Sequence, residues 1–195
     1  MRKLPYYLDN PIDNLLIYIS ESSKHIFYYL YFTPNMITSL ALITSTLGIN
    51  EFIHSNYIVS CLLFNLSYFF DCLDGHYARS YNMVTVFGDY YDHLSDLFKF
   101  FGLLITSYYI NYCKFQNLML FLPFLIITML LQLSCQEAYY SQYSNTNAPT
   151  LKILKYICPA SNNIELQGIM KVTRYFGTGT LNVIFSLIPI YYGYY

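Results

Sequence analysis

Between residues 71 and 96 the chain reads Asp71-Cys-Leu-Asp74-Gly75-His-Tyr-Ala78-Arg79 and, eight residues later, Gly88-Asp-Tyr-Tyr-Asp92-His-Leu-Ser-Asp96. Asp71 and Asp74 are three apart, and Asp92 and Asp96 are four apart, so on helices each pair shares one face. Carboxylates in apolar surroundings are costly to bury; they persist where they bind cations, pair with counter-ions or do chemistry. Four of them converging near one point cannot all stay ionised without positive charge. Divalent metal supplies it. Hard oxygen donors at an open, wet site favour Mg²⁺ or Mn²⁺, with the remaining positions taken by substrate phosphates. Two such ions clamping a phosphate make the arrangement for displacement at phosphorus. Arg79 is a planar donor suited to a diphosphate oxygen, and Gly75 and Gly88 leave room where helices or a ligand come close. A carboxylate–arginine network inside a transporter is the competing reading.

The rest of the chain must place these groups in a membrane. Of 195 residues 55% are hydrophobic and 11% charged, well under the charged fraction of soluble domains. Several apolar runs approach spanning length. The expectation is an all-α, polytopic membrane bundle of about five to six transmembrane helices in a single domain over residues 1–195. A net charge of -1 gives no case for nucleic acid. The five cysteines show no CxxC spacing and read as small core residues, not a disulfide framework or a zinc site. The first residues lack the apolar core of a signal peptide.

Asn10-Pro11 is a helix start. Over residues 11–32 apolar side chains recur with a period near 3.6, which predicts an amphipathic helix in the interface plane. Thr33-Pro34-Asn35 ends it and opens the bundle at residue 36. Spans are expected over residues 36–52, from 57 to the first aspartates, 84–110, 118–135 and 175–192. A polar stretch lies over 136–161, with Asn145-Thr-Asn-Ala-Pro149 as its clearest loop. This layout puts Arg2, Lys3, Lys24, Arg79, Lys152, Lys155, Lys171 and Arg174 on one side of the membrane and Lys114 alone on the other, with Lys99 inside the third span. The positive-inside rule then sets the N-terminus and both aspartate pairs near the cytoplasmic face. Lys99 is expected to snorkel or to pair with a motif carboxylate.

The run Asp71-x2-Asp74-Gly75-x2-Ala78-Arg79-x8-Gly88-x3-Asp92-x3-Asp96 matches every fixed position in the signature of the CDP-alcohol phosphotransferase family, and Thr33-Pro34-Asn35-x2-Thr38 resembles the family's opening. The resemblance covers residues 33–110. It implies an integral membrane enzyme of phospholipid synthesis that displaces CMP from a CDP-linked alcohol with a second alcohol, using Mg²⁺ or Mn²⁺. By position, Asp71, Asp74 and Asp92 would be metal ligands, and Asp96 a ligand and the general base. Gly75, Ala78 and Arg79 would line the CDP pocket, with Asn35 and Thr38 nearby. The implied partners are the lipid membrane, the CDP-linked lipid or alcohol, the acceptor alcohol and a second copy of the chain.

Gly88-Asp-Tyr-Tyr-Asp92-His93 is similar to the Gly-Glu-x-Phe-Asp-His run of choline and ethanolamine phosphotransferases. That favours a phosphoalcohol donor and a diacylglycerol acceptor; His93 on the back of its helix is the plainer reading. Lys171 and Arg174 are positive-inside anchors or contacts for an acceptor or lipid phosphate. In one respect the chain departs from the family: its members have six or more spans after the interfacial helix, and five are legible here. Either residues 152–158 hide a poor span or the last helix is missing. An intramembrane prenyltransferase also pairs aspartate-rich helices with Mg²⁺, but would not explain Gly75-x2-Ala78-Arg79. A non-enzymatic transporter predicts no CMP release.

Overall fold

The computed structural model of the chain describes residues 4–143 and 152–194, all of whose regular structure is helical. The elements are α1 (Pro11–Tyr29), α2 (Pro34–Ile53), α3 (Tyr57–Ser80), α4 (Val86–Ile110), α5 (Tyr112–Tyr143), a 3₁₀ turn (Lys152–Ile157), α6 (Asn163–Thr173), a second 3₁₀ turn (Arg174–Phe176), α7 (Thr178–Ser186) and α8 (Ile188–Gly193). The expected Asn145–Pro149 loop lies outside the described residues.

Among the described residues three helices are long and apolar enough to cross a membrane: α2, α3 and α5 over Tyr112–Ser141. α4 has 25 residues, a spanning length, but carries Asp89, Asp92, Asp96 and Lys99. The expected last span is broken. α7 ends at Ser186 with Leu187 as its cap, and Pro189 sits in the first turn of the short α8, because proline has no N–H to continue the α7 ladder. The pair still runs the length of the bundle. Asn10, beside the start of α1, donates to the Arg174 carbonyl at 2.6 Å and the Thr180 hydroxyl at 2.8 Å. At the other end Tyr192 packs edge-on against Phe52, and Lys114 donates to the carbonyls of Tyr192 at 2.9 Å and Tyr194 at 2.7 Å.

Helix ends follow local chemistry. Asn10, Thr33 and Thr85 accept from the N–H of Ile12, Met36 and Gly88, and Pro11 and Pro34 occupy first helical positions. α1, α2 and α3 end alike: Tyr31, Ser55 and Asn82 take positive φ, and the next N–H returns to a carbonyl five residues back, Phe27, Glu51 and Ala78. The last of these turns the chain from α3 into α4.

α2 is the central helix. Against α3 it presents a stripe of small residues, Thr38, Ala41, Ser45 and Gly48, all buried. Across the seam Ser67 donates to the Ala41 carbonyl and Ser60 to the Gly48 carbonyl, each at 2.7 Å. Without water to drive helices together in lipid, close approach and interhelical hydrogen bonds do so. α2 also packs along α4. There Ser39 and Tyr91 hydroxyls meet at 2.9 Å, and a β-carbon on Gly102 would come within 2.6 Å of Ile49 Cδ1.

α1 is the expected amphipathic helix at the start of the chain. It packs on α3 and α7, and its buried residues are Asp13, Asn14 and Ser20, whereas Leu15, Tyr18, Ile19 and Ile26 are exposed. The amphipathic stripe exists, but its polar side faces the bundle and its apolar side faces outward. Burial raises the Asp13 carboxyl to about 6, although hydrogen bonds from Tyr68 and Thr178 oppose the shift.

Two expectations are corrected. α5 continues through Gln136 to Tyr143, so the polar stretch begins as helix, and its Gln132, Gln136 and Glu137 are buried. Cys135 and Cys158 form a disulfide. The 3₁₀ turn packs back on α5 and brings the two α-carbons to 4.9 Å, a closeness that a separation of 23 residues does not announce. With six residues, that turn is too short to be a hidden span.

Candidate active site

The site forms at the end of the bundle where α3 finishes and α2 and α4 begin. α3 arrives with Asp71 and then Asp74; α4 departs with Asp92 and then Asp96. Asp71 and Asp96 are therefore the pair further into the bundle, and Asp74 and Asp92 the outer pair. α2 packs on both helices and sets their rotation.

Asp74 is 5% exposed, and its Oδ2 accepts from the Thr38 hydroxyl at 2.5 Å. Asp71 and Asp96 share Lys99, whose Nζ lies 2.6 Å from Asp71 Oδ1 and 2.5 Å from Asp96 Oδ1. Asp92 has a buried Oδ1 with no hydrogen-bond partner. One ligand atom each from Asp92, His93 and Asp96 lies within 4.8 Å of the others. The motif aspartates of the two helices thus converge, with a lysine between two of them.

The glycines have specific tasks. The Arg79 guanidinium lies over Gly75, where a β-carbon would sit 3.1 Å from Nη1. A β-carbon on Gly88 would sit 3.1 Å from Asn35 Oδ1. Thr38 thus touches Asp74, Arg79 lies over Gly75, and Asn35 lies beside Gly88. Ala78 is half-buried one turn beyond Asp74, and its carbonyl closes the turn into α4 through the Met83 N–H at 2.8 Å.

Beyond the signature, the structure singles out Lys99 and His93. Lys99 lies at i+7 from Asp92 and i+3 from Asp96, which is the sequence signal for a shared face. His93 is not simply on the back of its helix, since its ring lies near both Asp89 and Asp92, at 3.8 and 3.9 Å. Arg174 is held locally, donating to the Tyr7 carbonyl at 2.9 Å and the Tyr175 hydroxyl at 2.9 Å.

The donor set fits a hard divalent cation. Its oxygens come from opposed helices, and one buried Asp92 oxygen lacks any other partner. His93 adds a nitrogen that Mn²⁺ accepts more readily than Mg²⁺.

A helical membrane bundle with opposed aspartate pairs on neighbouring helices defines a class of intramembrane enzymes acting on phosphate esters. Within that class the chain belongs to the CDP-alcohol phosphatidyltransferase family, whose model matches residues 31–161. No curated protein and no solved structure matches it. The matched stretch holds α2 to α5 and every signature residue. Membership makes the chain a transferase of phospholipid synthesis that moves a substituted phosphate from a CDP-alcohol, and it displaces the prenyltransferase and transporter readings.

Proposed function

We propose that the chain transfers a phosphoalcohol group from a CDP-linked alcohol to an acceptor alcohol and releases CMP. Choline or ethanolamine is the preferred donor alcohol and diacylglycerol the preferred acceptor. The observation that carries this reading is the convergence of Asp71 and Asp74 with Asp92 and Asp96, bridged by Lys99. The choice of substrates rests on the Gly88-to-His93 run.

Asp71, Asp74, Asp92 and Asp96 would hold Mg²⁺ or Mn²⁺, two ions in the family's pattern. When bound, the metal neutralises the diphosphate and steadies the leaving phosphate. Arg79, folded over Gly75, offers its planar donors to the same diphosphate. Asn35 and Thr38 border the nucleotide side. Asp96 is about half exposed and takes the proton from the acceptor hydroxyl as its oxygen bonds to phosphorus and the bond to CMP breaks. The lysine and arginine distribution supports a cytoplasmic site.

The test is a product scan. Purified chain is incubated with CDP-choline or CDP-ethanolamine plus diacylglycerol, and separately with CDP-diacylglycerol plus inositol, serine or glycerol phosphate. Lipids are identified by mass and CMP is measured. Phosphatidylcholine or phosphatidylethanolamine formation, lost in excess chelator, is expected. Product only from CDP-diacylglycerol would reverse the donor assignment, and full CMP release in chelator would remove the metal.

A further inference from the structure

The last turns of α3 carry the pocket residues on one side and their fastenings on the other. At about 100° per residue, Asp71, Asp74, Gly75, Ala78 and Arg79 share one half of the helix surface, and His76, Tyr77 and Tyr81 lie on the opposite half. Each of these three is tied to α1 or to the turn that follows it. The Tyr77 hydroxyl donates to the Phe32 carbonyl at 2.8 Å, and the Tyr81 ring stacks on Tyr28 with centroids 4.3 Å apart. His76 Nε2 lies 2.6 Å from Glu21 Oε2 on α1. The Glu21 carboxylate also binds the Lys24 ammonium and only accepts, so Nε2 carries the ring proton and donates. The other ring nitrogen, Nδ1, is buried with no hydrogen-bond partner. The His76 side chain is 2% exposed and that of Glu21 55%. Among the described residues, then, an open surface carboxylate orients a closed-in ring of the signature run.

We propose that Glu21 is a positioning residue for the CDP pocket: by holding His76 it fixes the turn of α3 from which Arg79 reaches over Gly75. This rests on the reading of Gly75 and Arg79 as nucleotide contacts. His76 and Arg79 are three residues apart and adjoin on the helix surface. Gly75 has no side chain to guide the guanidinium, whose Nη1 passes 3.1 Å from where a β-carbon would stand. The course of Arg79 therefore follows the backbone of this turn. The aspartates have supports of their own, Asp74 from Thr38 and both Asp71 and Asp96 from Lys99. Releasing His76 thus moves Arg79 more than it moves the carboxylates.

CDP, the part shared by both classes of donor, is titrated into each purified full chain in the presence of Mg²⁺, and Mn²⁺ is titrated separately. E21A is expected to weaken CDP binding by roughly three- to thirtyfold, the span for residues coupled in one network, and to leave Mn²⁺ affinity as in the wild type. E21Q, which still offers His76 a hydrogen bond, should return CDP affinity to within about twofold of the wild type. H76F fills the place of the ring without the bond. It should match E21A, and the double variant should lose no more than either alone. Four results each overturn the proposal: wild-type CDP affinity in E21A, an E21Q as weak as E21A, additive losses in the double variant, or equal loss of CDP and Mn²⁺ in E21A. The last would make the contact a general prop for α3. Where H76F folds poorly, E21A against E21Q decides, because Glu21 stands in solvent. A wild type that fails to bind CDP or Mn²⁺ removes the reading of the site itself, and the proposal with it.

Discussion

The Thr38 hydroxyl donates to Asp74 Oδ2 at 2.5 Å, joining the first turn of α2 to the aspartate helix. Both side chains are nearly closed to solvent. A buried carboxylate that loses a donor bears the desolvation cost unrelieved. Thr38→Val keeps the shape and removes the hydroxyl. It should lower stability by about 1–3 kcal/mol and reduce turnover, and Thr38→Ser should restore both. A Thr38→Val chain with wild-type Tm and wild-type CMP release would show that the contact does neither.

Asp96→Asn keeps the side-chain volume but removes the proton acceptor. Turnover should fall by roughly 10²–10⁴, while much of the CDP-substrate binding survives on Arg79 and the remaining aspartates. Nucleotide binding and CMP release should be measured on one preparation. Near-normal turnover takes the base role from Asp96. Turnover and binding lost together would make Asp96 chiefly a ligand, with Asp89 or His93 left as proton acceptors.

Asp13 gives the fold a pH dependence. Burial raises its carboxyl to about 6, above the usual 3.9 or so of the unfolded chain. A raised folded-state value favours the protonated form. This contribution is therefore fully present below about pH 4 and is lost as pH rises through 6. Asp13→Asn retains a partner for Tyr68 and Thr178 but cannot ionise. Its Tm should equal or exceed that of the wild type at pH 7.5 and fall behind near pH 4.5. A wild-type Tm advantage that persists unchanged across that range would contradict the assignment. Exposed Glu21 responds oppositely, because Lys24 and His76 lower its carboxyl, so the comparison must be between variants and not against pH alone.

The cytoplasmic placement of the site can be tested at both ends of the bundle. In a chain without native cysteines, Met83→Cys should label from the cytoplasm and His54→Cys only from the far side. The reverse pattern inverts the layout. Cys135 and Cys158 lie at the site end and supply a second reading. Thiols facing the cytoplasm stay reduced, so rapid acid quenching and alkylation of intact cells should find both free, with the disulfide closing on purification in air. A bridge already formed in quenched cells would place this end in an oxidising compartment.

What could be read in the residues was what repeats or caps. The aspartate pairs shared faces because three- and four-residue spacings do so on any helix, and the Asn10-Pro11 and Thr33-Pro34 starts were local chemistry. The hydrophobic period of α1 showed a stripe but not which way it faced. Asp13 turns inward because α3 and α7 offer the hydroxyls of Tyr68 and Thr178, and Asn14 because the carbonyls of Tyr6 and Asp9 accept from its amide, a property of the neighbours and not of α1. Lys99 could be expected near a carboxylate, but its choice of Asp71 and Asp96 depends on the rotation and depth of two helices. The Cys135–Cys158 pairing depends on a 3₁₀ turn folding back, and the break at Leu187 on Pro189 meeting the end of α7. Apart from the three-residue step from Asp96 to Lys99, none of these has a spacing signature.

The α2–α3 seam ties Gly48 to Ser60, Ala41 to Ser67 and Thr38 to Asp74, with Ser60, Ser67 and Asp74 at seven-residue steps. A zipper of this kind transmits rotation rigidly. Inserting or deleting one residue between Ser67 and Asp71 would swing both aspartates by about 100°, out of the cleft and toward the acyl chains, while leaving every residue type in place. Length in this stretch of α3 is thus as much a part of the chemistry as the aspartates. Homologues should vary freely in the 54–56 and 81–85 turns yet keep the count of residues from Ser60 to Asp74 unchanged.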